Sequence, residues 1–300
     1  MMKTVFNLPL IACMALLIAG CSGGSDEPTP TPPEPKKMEI RISTSVTESR
    51  ATDYGFEKDD CVGLYVVNRT DGASGTLLNS GNYVDNMRFT YNGTWVPDNV
   101  LYWKDEKTHA DFYLYYPYTN VSSVKAHPVA LQPDQSTEAA YKASDFMVGR
   151  TMDVAPTSEA TMINVSHVMS RIIITLEAGN GFTKESLAAS NVSVKINGVK
   201  CNSTVDLSTG DVTATGNPTT VTPLFSDNTY KALIVPQTVG EGNLISVTVD
   251  GREFNLKKEF TFVKSKSHKF TVTLSKTSSG VNVNINPWTD DGIDNGGTAE

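Results

Sequence analysis

The chain has 300 residues and a formal net charge of −8, from 33 acidic and 25 basic residues. With 39% hydrophobic and 19% charged residues it is too apolar to be disordered throughout. The acidic balance argues against a protein that binds duplex nucleic acid, and four scattered histidines with no Cys-x-x-Cys pair argue against zinc fingers and thioredoxin-like folds.

The first segment is typical of an export signal. After Lys3, residues 5–20 form an apolar run of about 16 residues, shorter than the roughly 20 of a membrane span. The run ends in Ile18-Ala19-Gly20-Cys21, which resembles the bacterial lipobox, where the cysteine thiol receives lipid. We predict that residues 1–20 are a signal peptide and that Cys21 is the lipidated mature N-terminus. The alternative is a secretory signal with an incidental cysteine.

Residues 21–37 are predicted to be a tether. They are rich in Gly, Ser and Pro, a composition that gives a flexible part followed by an extended, semi-rigid part. Ser22 and Asp26-Glu27 also resemble the surface-export signal of outer-membrane lipoproteins in Bacteroidota. The alternative is a linker that is merely soluble.

From residue 38 onward, apolar and polar residues alternate with a period of two, which predicts β-strands. The first strand, 38–46, places Ile40, Ile42 and Val46 on one face. The segment 61–67 is apolar on both faces and is predicted to be a central strand. Other predicted strands are 112–116, 171–176, 192–196, 245–249, 254–256, 270–274 and 281–285. Helical patterns are few, at 137–144 and 183–189, so we predict an all-β fold.

A glycine-rich stretch at 178–181 predicts a domain boundary. It divides the chain into an N-terminal domain, 38–178, and a C-terminal domain, 179–300. Both have an ordinary single-domain size.

Sequence motifs of known catalytic chemistry are missing: there is no GxSxG, P-loop or GxGxxG. We therefore expect no enzyme, no catalytic residue, no metal site and no cofactor. Ser166 and His167 are adjacent, and neighbours on a strand point to opposite faces, so we expect His167 to be structural. The acidic stretch 290–296 lacks the spacing of a calcium loop.

Two other groups leave alternatives open. Tyr113, Tyr115, Tyr116 and Tyr118 have the chemistry to stack on sugars, although tyrosines at strand ends more often pack their rings. Once Cys13 leaves with the leader and Cys21 is lipidated, Cys61 and Cys201 remain. They fall in different predicted domains, so we expect two buried free thiols.

Together these segments resemble the fimbrillin family, the lipoprotein pilins of Bacteroidota type V fimbriae. The segments that carry the resemblance span nearly the whole chain and are the lipobox at Cys21, then 49–52, 56–65, 111–118, 167–176 and 283–290. The resemblance implies two transthyretin-like Greek-key β-sandwich domains in tandem. It also implies export as an outer-membrane lipoprotein of the cell-surface fimbrium, with a role in adhesion.

The resemblance further implies activation by a trypsin-like protease that cleaves after an N-terminal arginine. Arg50-Ala51 fits this site, in a polar stretch directly after the first predicted strand. Cleavage would release residues 38–50 and open a groove that Ile40, Ile42 and Val46 had filled. A neighbouring subunit would then fill the groove with its own strand. Val281, Val283 and Ile285 have the alternation expected of that donor strand.

The implied partners are other fimbrial subunits, the outer membrane and a host or bacterial receptor, with no nucleic acid. The segment after Leu274 is short, so 281–285 is either a donated or a fixed strand, and the chain is either a stalk subunit or a tip or accessory subunit. A carbohydrate-binding surface lipoprotein is a second alternative, which requires an exposed aromatic platform. An extracytoplasmic enzyme is a third, which requires converging acid, base or metal groups.

Overall fold

The structure is a computed structural model that describes residues 37–46, 55–276 and 297–299, the last by backbone alone. The regular secondary structure of the described residues is nearly all strand, which confirms the predicted all-β class. Two helices of five residues each are α1 (Glu138–Lys142) and α2 (Lys184–Ala188). The side-chain oxygens of Thr137 and Thr183 cap their first turns. Neither helix is long enough to cross a bilayer.

Eight strands precede residue 168: β1 (Arg41–Val46), β2 (Cys61–Asn68), β3 (Val84–Tyr91), β4 (Trp95–Pro97), β5 (Ala110–Tyr116), β6 (His127–Ala130), β7 (Met147–Val154) and β8 (Ala160–His167). All except β6 form one seven-stranded sheet in the order β1-β8-β7-β5-β2-β3-β4. The pair β1–β8 is parallel and the others are antiparallel. The indole Nε1 of Trp95 donates to Thr44 Oγ1 at 3.1 Å, so the sheet curls until its edge strands β4 and β1 touch.

The later strands are β9 (Ser170–Ala178), β10 (Val192–Val199), β11 (Asn202–Val205), β12 (Val212–Thr215), β13 (Thr219–Val221), β14 (Leu224–Ser226), β15 (Thr229–Ile234), β16 (Gln237–Val239), β17 (Asn243–Val249), β18 (Arg252–Lys257), β19 (Phe260–Phe262), β20 (Ser267–Leu274) and β21 (Gly297–Ala299). They form sheets in the orders β14-β15-β9-β20-β21, β13-β10-β17-β18, β16-β19 and, with β6, β12-β11-β6.

Sheet membership changes earlier than the predicted boundary at residue 178. Strand β9 pairs antiparallel with β15 and parallel with β20, so it lies among the C-terminal strands. Strand β6 also comes from the N-terminal part of the chain and pairs with a later strand, β11. The glycine-rich turn marks where β9 ends, but a local composition signal carries no information about which sheet a strand joins. The two-domain division at 178 stays a prediction.

Two hydrophobic clusters share strands β2 and β5. One cluster lies along the seven-stranded sheet and contains Leu64 and Phe112, and the other joins Tyr65 and Tyr113 to the C-terminal strands. Successive side chains of a strand point to opposite faces, so these strands are buried on both sides. The central position predicted for β2 from its two apolar faces is therefore confirmed.

Candidate functional site: the groove of the first strand

The segment 38–46 lies in a groove in which it pairs with two backbone neighbours in succession. At its start, Ile40 N donates to Leu101 O and Trp103 N donates to Met38 O, both at 2.9 Å. Farther on, β1 pairs in parallel with β8, from Arg41 opposite Ala160 to Val46 opposite Val165. The segment thus changes from one neighbour to another along its length.

The groove discriminates between the two faces of β1. Ile40 and Ile42 are 3% and 5% exposed and belong to the cluster along the seven-stranded sheet, and Val46 packs partly buried against it. Burying an isoleucine side chain contributes roughly 1.5–3 kcal/mol, so these positions hold the strand firmly.

The outward face of β1 makes polar contacts with β8. Ser45 Oγ donates to Asn164 Oδ1 at 2.6 Å, and Ser43 Oγ lies 3.7 Å from the sulfur of Met162. Arg41 is exposed and pairs with the exposed Glu39 carboxylate at 3.2 Å. An exposed pair of this kind contributes little, so the inward face carries most of the affinity of the groove for its strand.

Several predicted site residues fall outside the described residues. They are Cys21, Arg50, Ala51, Val281, Val283 and Ile285. Strand β1 ends at Val46, four residues before Arg50. Sequence reasoning missed β21, which pairs in parallel with β20 from Gly297 opposite Val272 to Ala299 opposite Leu274. Its residues Gly-Thr-Ala have no apolar alternation that would have signalled a strand.

The tyrosine cluster packs as tyrosines at strand ends usually do, and it offers no exposed platform of four rings: Tyr113 and Tyr115 are buried, and Tyr116 and Tyr118 are partly buried. Tyr113 and Tyr115 are 6% and 1% exposed. The Tyr115 hydroxyl lies 2.7 Å from Asn86 Oδ1 and 2.6 Å from Thr119 O, and burial raises its pKa to about 12. Tyr116 is also partly buried, with its hydroxyl donating to Asp60 at 3.1 Å. These rings pack the junction of the two clusters, because both faces of β5 are covered.

His167 pairs with a carboxylate. Its Nδ1 lies 2.9 Å from Asp145. Burial disfavours the imidazolium, but the hydrogen bond and charge of Asp145 outweigh burial and raise the pKa of His167. The described residues bring no hydroxyl nucleophile into this pair, and they hold no group of three or more His, Cys, Asp or Glu placed to bind a metal ion.

Both cysteines within the described part of the chain are free thiols. Cys201 is buried as predicted, and burial raises the pKa of its thiol. Cys61 is half-buried rather than buried, because it begins β2 at the end of the sheet, where its Sγ lies 3.4 Å from Asp59 O.

Comparison with known proteins identifies the chain. Residues 49–288 match the profile of the family described as fimbrillin-like. The chain belongs to the fimbrillin-like family. This confirms the resemblance drawn from its sequence segments.

Relatives of this fimbrillin-like chain come from Bacteroides. A protein assigned as the fimbrium subunit Fim1C of Bacteroides uniformis is 25% identical over 289 residues, covering 91% of this chain and 92% of the relative. A protein assigned as the fimbrium tip subunit Fim1C of Bacteroides ovatus is 27% identical over 196 residues, which are 57% of this chain and 35% of that protein.

Solved structures share the fold. A protein described as a cell adhesion protein of Bacteroides uniformis superposes with a TM-score of 0.62 at 19% identity, covering 88% of this chain and 97% of that one. A second, from Bacteroides ovatus, has a TM-score of 0.61 at 17% identity, covering 79% and 92%. The β architecture of the chain is thus shared with these proteins.

Proposed function

We propose that this chain is a structural subunit of a cell-surface fimbrium. In this proposal it is exported as an outer-membrane lipoprotein through Cys21, activated by cleavage at Arg50-Ala51 and polymerised by strand exchange, with adhesion as the result. The role is structural rather than catalytic. The observation that carries the proposal is the position of β1: a separate strand in a groove, ending four residues before Arg50.

The contacts of β1 explain why cleavage would matter. While the Arg50 bond is intact, the strand is part of the same chain and rebinds the groove at high effective concentration. After cleavage it is a separate peptide that can dissociate. Its loss exposes the cluster around Ile163 and the unpaired edge of β8, and an exposed edge pairs readily with another strand.

The donor in this proposal is 281–285, because Val281, Val283 and Ile285 repeat the alternation of Ile40 and Ile42. The position of this chain within the fibre is tested by the assembly experiment described below. One relative is assigned as a fimbrium subunit and another as a tip subunit, so both stalk and tip are proposals for this chain. The carbohydrate-binding alternative loses its original support, since Tyr113 and Tyr115 are buried and Tyr116 and Tyr118 are partly buried.

The test uses protein that begins at residue 22, treated with a trypsin-like protease. The wild type should form ladders that resist mild detergent on electrophoresis, and Arg50→Ala should remain monomeric. Arg41→Ala is the matched control, because Arg41 is exposed on β1 and lies before the proposed site. This control should assemble like the wild type.

Two outcomes would contradict or redirect the proposal. Assembly of Arg50→Ala to the wild-type extent would rule out cleavage as the switch. Cut protein that does not self-assemble but caps a second pilin would assign the chain to the tip.

A further inference from the structure

An open cleft of about 410 Å³ lies beside the loop that connects β2 to β3. This volume is within the range of small-ligand sites. The residues that matter in its wall are Val67, Asn68, Thr76, Leu78, Tyr83 and Lys104. The cleft is separate from the Tyr113–Tyr118 cluster and from the inward face of β1.

The walls of the cleft are held in place by hydrogen bonds behind them. Ser74 Oγ donates to the buried Asp111 carboxylate at 2.5 Å, which fixes the loop next to Thr76. Asn82 Oδ1 accepts from Leu78 N at 3.0 Å and closes the opposite wall. The Tyr83 hydroxyl donates to Tyr102 O at 2.8 Å, which orients its ring. A site organised before its ligand arrives loses less entropy on binding.

The cleft presents both apolar surface and unused polar groups. Leu78 and Tyr83 are 49% and 41% exposed. The Asn68 amide, the Thr76 hydroxyl and the Lys104 ammonium form no hydrogen bond or ion pair with any residue that the structure describes. A sugar ring matches this surface, because one of its faces is C–H and its edge carries hydroxyls that both donate and accept.

The charges at the rim disfavour an anionic ligand. Lys104 is followed directly by the exposed carboxylates of Asp105 and Glu106. The Thr108 hydroxyl and the N–H groups of Lys107 and Thr108 bond Asp105 and lower its pKa to about 2, so it is charged at neutral pH. The Lys104 ammonium, with carboxylates next to it in the chain, therefore serves better as a hydrogen-bond donor than as an anion site.

We propose that this cleft binds a neutral oligosaccharide. One sugar ring packs on Tyr83 and Leu78, and its hydroxyls bond to Asn68, Thr76 and Lys104. The proposal adds a ligand to the fimbrial role and does not depend on cleavage at Arg50 or on polymerisation.

The experiment presents the purified, uncleaved full chain to immobilised oligosaccharides. The neutral set is built from glucose, galactose, mannose and their N-acetylamino forms, and the acidic set is sialylated or sulfated. We expect saturable binding to at least one neutral oligosaccharide. Titration of that sugar should show affinity about threefold to tenfold weaker for Tyr83→Ala and for Asn68→Ala, since each removes one ring or hydrogen-bond contact.

The controls separate loss of the site from loss of the fold. Phe225→Ala removes a 56% exposed ring from β14, in another sheet, and should leave the affinity unchanged. Thr76→Val replaces only the exposed hydroxyl by a methyl group, and a weaker affinity of this variant would support the site if Tyr83→Ala fails to fold. Binding of no neutral sugar, binding of acidic sugars alone, or equal affinity of the wild type and the folded cleft variants would overturn the proposal. None of these results would affect the cleavage test.

Discussion

Asp111 is a buried charge, and its pairing with Arg69 predicts that replacing Arg69 lowers the stability of the fold. Its carboxylate is 0% exposed, with Arg69 Nε at 2.7 Å and Asp153 N at 2.8 Å. Burial disfavours the carboxylate, but its hydrogen bonds, including those from Ser74 and Arg69, lower its pKa overall. Arg69→Ala would leave this charge partly unpaired, and we expect a clearly lower free energy of unfolding in urea for this variant.

The control for this prediction is Arg88→Ala. Arg88 pairs with Asp98 at 3.0 Å, but both side chains are nearly half exposed, so we expect a much smaller loss of stability. Equal losses for the two variants would contradict the role given to burial.

Two histidines should give the stability opposite pH dependences. His127 is 3% exposed between the rings of Tyr115 and Phe146, and burial lowers its pKa. The unfolded chain therefore binds this proton at a higher pH than the folded one, and stability falls as the pH drops below about 6.5. The raised pKa of His167 does the reverse: its contribution is complete below about pH 6.5 and is lost as the pH rises through the folded value.

Urea unfolding at several pH values between about 5 and 8 measures both effects. His127→Gln should reduce the loss of stability on acidification, whereas His167→Gln should reduce the loss on the alkaline side. The assignment fails if both variants change the pH dependence in the same sense.

At the scale of elements, Gln135 replaces a missing strand. Strand β14 pairs with β15 only as far as Lys231, and beyond it the Gln135 amide takes over. Its Oε1 accepts from Leu233 N at 2.8 Å, and its Nε2 donates to Leu233 O at 2.9 Å. Gln135→Ala would leave these buried backbone groups unpaired, at about 1–3 kcal/mol for each group.

We expect a lower midpoint of urea unfolding for Gln135→Ala than for Gln132→Ala. Gln132 lies three residues away with an exposed side chain, and its backbone groups stay in place in that variant. Similar midpoints for the two variants would show that the amide does not complete the sheet edge.

At the same scale, the sequence predicts which segments are strands but not which strands pair with each other. Alternation identified β1 and its inward residues Ile40 and Ile42, because that signal is contained within the strand. It did not identify the parallel partner β8 or the contacts with 101–103, since pairing is decided by residues far along the chain. The same limit explains β9: its isoleucines predict burial and cannot indicate the C-terminal sheet.

At the scale of the whole molecule, polar residues that support the fold were the least predictable. Asp111, His127 and Gln135 are buried, yet nothing next to them in the sequence indicates which residue each one pairs with. Their partners Arg69, Phe146 and Leu233 lie 42, 19 and 98 residues away along the chain. The cleft of Asn68, Tyr83 and Lys104 was missed for the same reason, because three separate segments supply its lining.

The curled sheet also restricts what can replace β1. Its two edges approach each other through Trp95 and Thr44, and β8 has β7 on its other side, so only one edge of β8 would become free if β1 left. An extended chain rises about 3.3 Å per residue and matches the spacing of the backbone groups along that edge. A helix rises only about 1.5 Å per residue and pairs its own backbone groups internally, so it cannot form this ladder. A chain that enters after β1 has left must therefore arrive extended, and helical competitors are excluded by their backbone geometry.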